Sequence, residues 1–166
     1  MKADLLMHFS VDKENKTVNI KREFNASLSN VWSAWTDASV LDLWWAPAPF
    51  KSKTKFMDFR VGGKRLYAMV SPEGEERWSI FEYTSISPKV NFKHSATFCD
   101  AEGLPNSNLG SSYWDITFSE NKDSTIVDIA IKRGSLEELE KVIEMGFKEG
   151  ITSTMQTLDK ILEIKK

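Results

Sequence analysis

The stretch Arg22-Glu-Phe-Asn-Ala-Ser-Leu-Ser-Asn-Val-Trp-Ser-Ala-Trp-Thr-Asp37 decides the fold of this chain, because it joins a strand pattern to an aromatic-rich helix pattern. Upstream of the junction, residues 17–24 alternate apolar and polar side chains, and this period of two predicts a half-buried strand. Arg22 falls on the apolar side of that strand. We therefore expect it to lie at a sheet end or to meet a carboxylate.

Two short helices are expected after this strand. Ser27 or Ser29 suits the N-cap position of the first helix, and Asp37 suits the N-cap of a second one at residues 38–44. Prolines in Ala46-Pro-Ala-Pro49 end the second helix, because proline disfavours helix in the residue before it. One face of the first helix is apolar and consists of Leu28, Val31, Trp32 and Trp35.

The middle of the chain has strand patterns separated by turn residues such as Gly62-Gly63 and Ser87-Pro88. Nearly all of the connections are short, so an antiparallel sheet of about seven strands is expected once the first strand is included. The further predicted strands are residues 54–60, 64–70, 76–86, 89–99, 111–119 and 124–132.

One long helix is predicted at the C-terminus. Ser135-Leu-Glu-Glu138 is a capping box, and the helical pattern continues from there to Lys166. At about 1.5 Å per residue this helix would run about 40 Å. Gly146 and Gly150 fall inside it, where each costs about 1 kcal/mol relative to alanine. Either a bulky neighbour approaches them closely, or they leave space for a ligand beside Phe147 and Ile151.

Composition favours one globular domain over residues 1–166, with a loosely ordered start at residues 1–15. The net charge is −2 and the basic residues are scattered, so no nucleic-acid partner is expected. The single Cys99 rules out an intrachain disulfide and fits a reducing compartment. Because no apolar run approaches about 18 residues, we expect no membrane insertion and a cytoplasmic location.

These elements resemble the helix-grip superfamily of START and Bet v 1-like domains and, within it, the activator-of-Hsp90-ATPase-like family. The resemblance covers roughly residues 17–164. It implies an α+β fold in which a curved antiparallel sheet of about seven strands surrounds a long C-terminal helix and encloses a cavity. The segments that carry it are residues 22–27, 31–37, Trp44-Trp45, Asp58-Phe-Arg-Val-Gly-Gly63, Met69 with Pro72-Glu-Gly74, Ile86-Ser-Pro88, residues 146–150 and residues 158–162.

The superfamily includes lipid carriers, hormone and plant-metabolite binders, polyketide cyclases and stress-linked co-chaperones. The function expected first is non-catalytic binding of a small hydrophobic or amphipathic molecule in the cavity. One alternative is a cyclase, dehydratase or hydrolase that uses His94 as acid or base. Another is an interaction protein linked to stress or to chaperones. The eukaryotic Hsp90 activators have an additional N-terminal domain that makes much of the chaperone contact, so a small ligand is the expected partner.

The candidate ligand-binding residues are Trp45, Tyr67, Met69, Trp78, Tyr83, His94, Phe147 and Ile151. His94 lies on the apolar face of its strand, where it and Tyr67 would orient a ligand. Tyr67 and Met69 are assigned to the cavity by the resemblance, because both faces of residues 64–70 and 76–86 are partly apolar. Core packing remains the alternative for each candidate.

Trp44 and Trp45 are adjacent, so we expect one of them to fill the core and the other to lie at the rim. No cofactor or catalytic residue is expected, because the sequence has no Gly-x-Ser-x-Gly, P-loop, GxGxxG or His-Glu-x-x-His motif. No metal site is expected, because His8 is the only other histidine and Cys99 has the opposite strand parity to His94. The oligomeric state stays open between monomer and homodimer.

Overall fold

The computed structural model describes residues 5–106 and 110–164, which form an eight-stranded antiparallel sheet and four helices. The strand order is β1-β2-β8-β7-β6-β5-β4-β3. The strands are β1 (Met7–Asp12), β2 (Thr17–Phe24), β3 (Lys51–Met57), β4 (Lys64–Val70), β5 (Glu76–Ser87), β6 (Asn91–Cys99), β7 (Ser111–Asn121) and β8 (Ser124–Arg133). The helices are α1 (Leu28–Thr36), α2 (Ala38–Trp44), α3 (Leu136–Glu144) and α4 (Phe147–Ile164). The α+β helix-grip prediction is confirmed, with eight strands instead of about seven.

The additional strand is β1, which pairs with β2 from Met7↔Arg22 to Asp12↔Thr17. The prediction of a loosely ordered start was therefore wrong for this segment, while residues 1–4 lie outside the described part. Phe9 and Val11 pack against the core at every second position. The polar residues around this short pattern hid it in the sequence.

The two helices after β2 have N-caps that the sequence predicts, with Ser27 instead of Ser29 capping α1, and α2 has its predicted bounds. The Ser27 side chain accepts a hydrogen bond from the Asn30 backbone N–H at 3.2 Å, and the Asp37 side chain accepts one from the Ser39 N–H at 2.9 Å. Arg22 on β2 forms an ion pair with Asp159 on α4, so its predicted carboxylate partner is confirmed. This contact ties the first long strand to the last helix.

The C-terminal helix is broken, so the prediction of one continuous helix was wrong. The Ser135 cap of α3 is confirmed, because the Ser135 Oγ accepts a hydrogen bond from the Glu138 N–H at 3.1 Å. At Gly146, however, φ is +90°, a conformation that side-chain-bearing residues rarely adopt. The chain changes direction there and α4 starts afresh. The buried side of α4 packs on the inner face of the sheet through Ile151, Met155, Leu158 and Leu162.

No helix within residues 5–106 and 110–164 combines the length and the apolar character needed to cross a membrane.

Candidate functional site

A cavity of about 350 Å³ lies between the inner face of the sheet, helices α3 and α4, and the chain that follows α2. This volume is near the lower end of the range for ligand pockets, about 300–1,000 Å³. Most of the lining is apolar. Phe81 and Trp114 on the sheet face Phe147 and Ile151 on α4 across it.

The cavity settles which strand faces point inward. Tyr67 and Met69 line it from β4, and Arg77, Ser79 and Phe81 line it from β5. Odd-numbered residues on both strands therefore face the helices. Of the eight candidate residues, five line the cavity, namely Trp45, Tyr67, Met69, Phe147 and Ile151.

Trp78 and Tyr83 do not line the cavity. Trp78 occupies an even position on β5 and points to the outer face, where the Lys55 Nζ lies 5.8 Å from the centre of its ring. Tyr83 points inward, but it lies farther along β5 and packs against Phe59 with ring centroids 4.9 Å apart. The alternation of residues in β5 did not show which face of the strand points inward. Only its pairing with the neighbouring strands shows this.

His94 does not line the cavity either. It is 2% exposed, and its ring stacks on Phe81 at 4.0 Å and on Trp114 at 5.6 Å, measured between ring centroids. Its only described polar contact is between the Nδ1 and the Ser95 backbone oxygen, at 3.1 Å. Burial lowers the pKa of His94 to about 3, so the ring is neutral. His94 supports the aromatic rings of Phe81 and Trp114, which line the cavity.

Trp44 and Trp45 are both buried, so the expectation of one rim tryptophan was wrong. The Trp44 ring packs on Trp35 of α1 at 4.7 Å, whereas the Trp45 ring packs on Trp114 of the sheet at 5.6 Å. Successive helical residues point about 100° apart, and here both directions lead into packed protein. The indole N–H of Trp45 donates a hydrogen bond to the Tyr67 hydroxyl at 2.9 Å, which fixes both side chains at the cavity wall.

A buried cation lies next to Tyr67 and was not anticipated from the sequence. Arg65 is fully buried, and the Tyr67 ring centre lies 4.0 Å from its guanidinium carbon. Its Nη2 donates to the Ser52 Oγ at 3.0 Å and lies 3.5 Å from an oxygen of Asp42 on α2. Burial lowers the pKa of Arg65 from its ordinary value. The cation therefore positions Tyr67 without lining the cavity itself.

Several lining residues were missed by the sequence analysis. Trp114 follows the inward alternation of β7, and Arg133 continues the inward alternation of β8. Leu139 and Val142 on α3 are three residues apart and share a face. Alternation and helical spacing give signals for these residues, but only the folded sheet shows that the three elements meet.

Among residues 5–106 and 110–164, no group of three or more histidine, cysteine, aspartate or glutamate side chains is placed to hold a metal ion. Cys99 is a free, half-buried cysteine on β6.

The family described as Activator of Hsp90 ATPase homolog 1-like protein matches residues 25–163 of the chain. Among similar solved structures, an Arthrobacter aurescens protein is 28% identical, with a TM-score of 0.88 over 94% of this chain and 91% of that one. A Mycobacterium smegmatis protein is 26% identical, with a TM-score of 0.88 over 98% of this chain and 100% of that one. A Staphylococcus epidermidis protein that is 22% identical, with a TM-score of 0.84 over 95% of each chain, shares the fold. Among curated proteins, none matches.

Proposed function

The chain belongs to the family of Activator of Hsp90 ATPase homolog 1-like proteins, and from this premise we propose that it binds a small hydrophobic or amphipathic molecule without transforming it. Family membership supports a ligand-binding or Hsp90-activator-like function in general. The observation that carries ligand binding is the apolar cavity of about 350 Å³ between the sheet and the helices. A ligand there gains about 25 cal/mol for each Å² of apolar surface that it buries.

Gly150 supports this proposal because it leaves part of the cavity open. It lies within α4, yet a Cβ atom built on it meets only the Pro47 Cγ, at 3.9 Å. Close approach of a bulky neighbour is therefore not the reason for this glycine. An absent side chain that faces a cavity leaves space for a ligand, at a cost in helix stability of about 1 kcal/mol.

An enzyme that uses His94 is less well supported. A general acid or base must come within hydrogen-bond reach of its substrate. His94 stacks on Phe81 and Trp114, does not line the cavity, and stays neutral because its pKa is lowered to about 3. Its surroundings are those of a packed core residue.

The test uses N-phenyl-1-naphthylamine, a neutral fluorescent probe of apolar sites, with the wild-type protein and two variants of one position. Gly150→Ala adds one methyl group and keeps most of the cavity, whereas Gly150→Leu adds an isobutyl group that takes up a substantial part of it. We expect the alanine variant to bind the probe like the wild type, and the leucine variant to bind it about tenfold more weakly or worse.

Equal binding by the two Gly150 variants, with circular dichroism showing both folded, would contradict the proposed site. Native mass spectrometry of freshly purified protein, followed by organic extraction, complements the probe. A hydrophobic molecule that is retained by the wild type and lost from Gly150→Leu would identify the class of natural ligand.

A further inference from the structure

The cavity is lined by positively charged side chains and by no negatively charged ones in the described residues. Among the described residues that line it, Arg77 of β5 and Arg133 of β8 are the charged ones, and neither aspartate nor glutamate is present. The protein as a whole has a net charge of −2. The positive sign of the cavity is therefore local and opposite to that of the chain, and it favours an anionic ligand.

Arg133 is held in a position that leaves part of its side chain without a protein partner. It stands opposite Ser112 in the β7–β8 pairing, beside apolar lining residues such as Ile131 and Leu139. Its Nε is buried and has no hydrogen-bond partner in the described structure. Arg133 is half-buried, and this removal from water lowers the pKa of its guanidinium.

One carboxylate lies close enough to counteract the effect of burial on the pKa of Arg133. Glu138 on α3 raises the pKa of Arg133 through its charge, but it does not line the cavity. Its Oε2 accepts a hydrogen bond from the Ser135 Oγ at 3.2 Å, as part of the α3 cap. No described carboxylate lies within ion-pair distance of the guanidinium of Arg133. No described carboxylate therefore forms an ion pair with this guanidinium.

We propose that the ligand is an anionic amphiphile, whose carboxylate binds Arg133 while its apolar body lies against Phe81, Trp114, Phe147 and Ile151. This inference rests on the proposed function, because it uses the same cavity and names the class of ligand. An arginine fork matches a carboxylate with two parallel hydrogen bonds. A carboxylate also neutralises the charge of this half-buried guanidinium, which an alcohol does not do. The cavity volume suits a single short apolar chain.

The experiment compares two ligands that differ in the head group alone. Decanoic acid and 1-decanol are each titrated against bound N-phenyl-1-naphthylamine, and the displacement of the probe is measured. The proteins are the wild type, Arg133→Gln and Arg77→Gln, at neutral pH and below micelle-forming concentrations. We expect the wild type to bind the acid about tenfold more tightly than the alcohol, or better. Arg133→Gln should lose this preference and keep its affinity for the alcohol. Arg77→Gln should largely retain the preference, because Arg77 is exposed.

Each contrary outcome has its own meaning. If the alcohol binds the wild type as tightly as the acid, the inference is overturned while the proposed function stands. If neither ligand binds and the probe does not bind either, the proposed function fails and takes the inference with it. If the preference survives in Arg133→Gln and disappears in Arg77→Gln, the assignment to Arg133 is wrong. The wild-type protein alone decides the first two outcomes, through its ratio of acid to alcohol affinity and its binding of the probe. They can therefore be read even if Arg133→Gln does not fold.

Discussion

Two glycines, one just before α4 and one within it, affect the volume of the cavity and the stability of its wall. Gly150 has helical geometry and a Cβ there meets only Pro47, whereas Gly146 has a φ of +90°. The sequence showed two costly glycines in one predicted helix but did not show that they have different causes. Gly146 ends one helix and starts another, and Gly150 leaves open volume. Backbone conformation distinguishes them, and it cannot be read from residue type.

The same substitution at these two glycines should change stability in opposite directions. Gly150→Ala should raise the free energy of unfolding by about 1 kcal/mol, because alanine is the better helix former. Gly146→Ala should lower it by about 1 kcal/mol or more, because a side chain is strained at that φ. Urea denaturation of the two variants and the wild type measures both. Changes of the same sign would show that the helix break at Gly146 is wrong.

His94 should make the protein less stable as the pH falls. The pKa of the folded protein's His94 is about 3 and that of the unfolded chain is about 6.5, so the unfolded state takes up a proton that the folded state refuses. This contribution is complete above about pH 6.5 and is lost on going down toward pH 3. Its slope is at most about 1.4 kcal/mol per pH unit.

His94→Phe is the matched variant for this prediction, because the ring already stacks between Phe81 and Trp114. Denaturation curves between about pH 7 and pH 4 should show a smaller loss of stability for the variant than for the wild type. The carboxylates that drive acid unfolding are common to both proteins. Parallel curves would mean that His94 titrates normally in the folded state.

At the level of elements, α2 is tied to the sheet through Asp42. Its carboxylate accepts hydrogen bonds from the Ser52 Oγ at 2.9 Å, the Thr54 N–H at 3.0 Å and the Thr54 Oγ1 at 2.7 Å. It also lies 3.5 Å from the buried Arg65. Because Trp45 follows α2 directly and donates to Tyr67, this anchor holds one wall of the cavity in place.

Asp42→Ala should lower the free energy of unfolding by about 2 kcal/mol or more, since it leaves the Arg65 charge buried without its counter-ion. In an Arg65→Met background the same change should cost clearly less. A double-mutant cycle by urea denaturation gives the coupling between the two residues. Additive effects would show that Asp42 acts through the Ser52 and Thr54 hydrogen bonds alone.

Elements with a clear period or cap were predictable from the sequence, and elements that depend on distant partners were not. The bounds of β2, α2 and β4 match their predicted residues because alternation, Asp37 and the flanking turns mark them locally. The inward face of β4 was ambiguous because its outer face is covered too. Leu66 is buried there, and the loop at Gly103 lies against it and Ile80. A strand that is covered on both sides loses its alternation.

At the scale of the whole molecule, the sheet formed by the described residues is open and has β1 and β3 as its edge strands. The β3 edge has lysines at positions 51, 53 and 55, and charged edges of this kind disfavour pairing with a second sheet. The helix-grip fold follows from the order of elements, which the sequence shows. The shape and sign of the cavity depend on how the far ends of the chain meet, so they appear only in the folded structure.

Ligand binding should stabilise the whole fold, because the cavity is lined by the sheet, by α3 and α4, and by the chain that follows α2. At a free ligand concentration of about one hundred times Kd, the free energy of unfolding should rise by about 2.7 kcal/mol. Thermal unfolding with decanoic acid measures this as a higher Tm. At the same ligand concentration Gly150→Leu, binding about tenfold more weakly, should gain only about 1.4 kcal/mol or less, and a rise equal to that of the wild type would place the ligand elsewhere.

The cluster of indole rings has an optical consequence. Trp35, Trp44 and Trp45 form a chain of contacts with ring centroids 4.7–5.3 Å apart, and Trp45 continues it to Trp114 at 5.6 Å. Rings this close can transfer excitation energy to one another. Because Trp45 and Trp114 both line the cavity, we expect a molecule that enters it to change their emission, so that the protein's own ultraviolet fluorescence would report occupancy without any label.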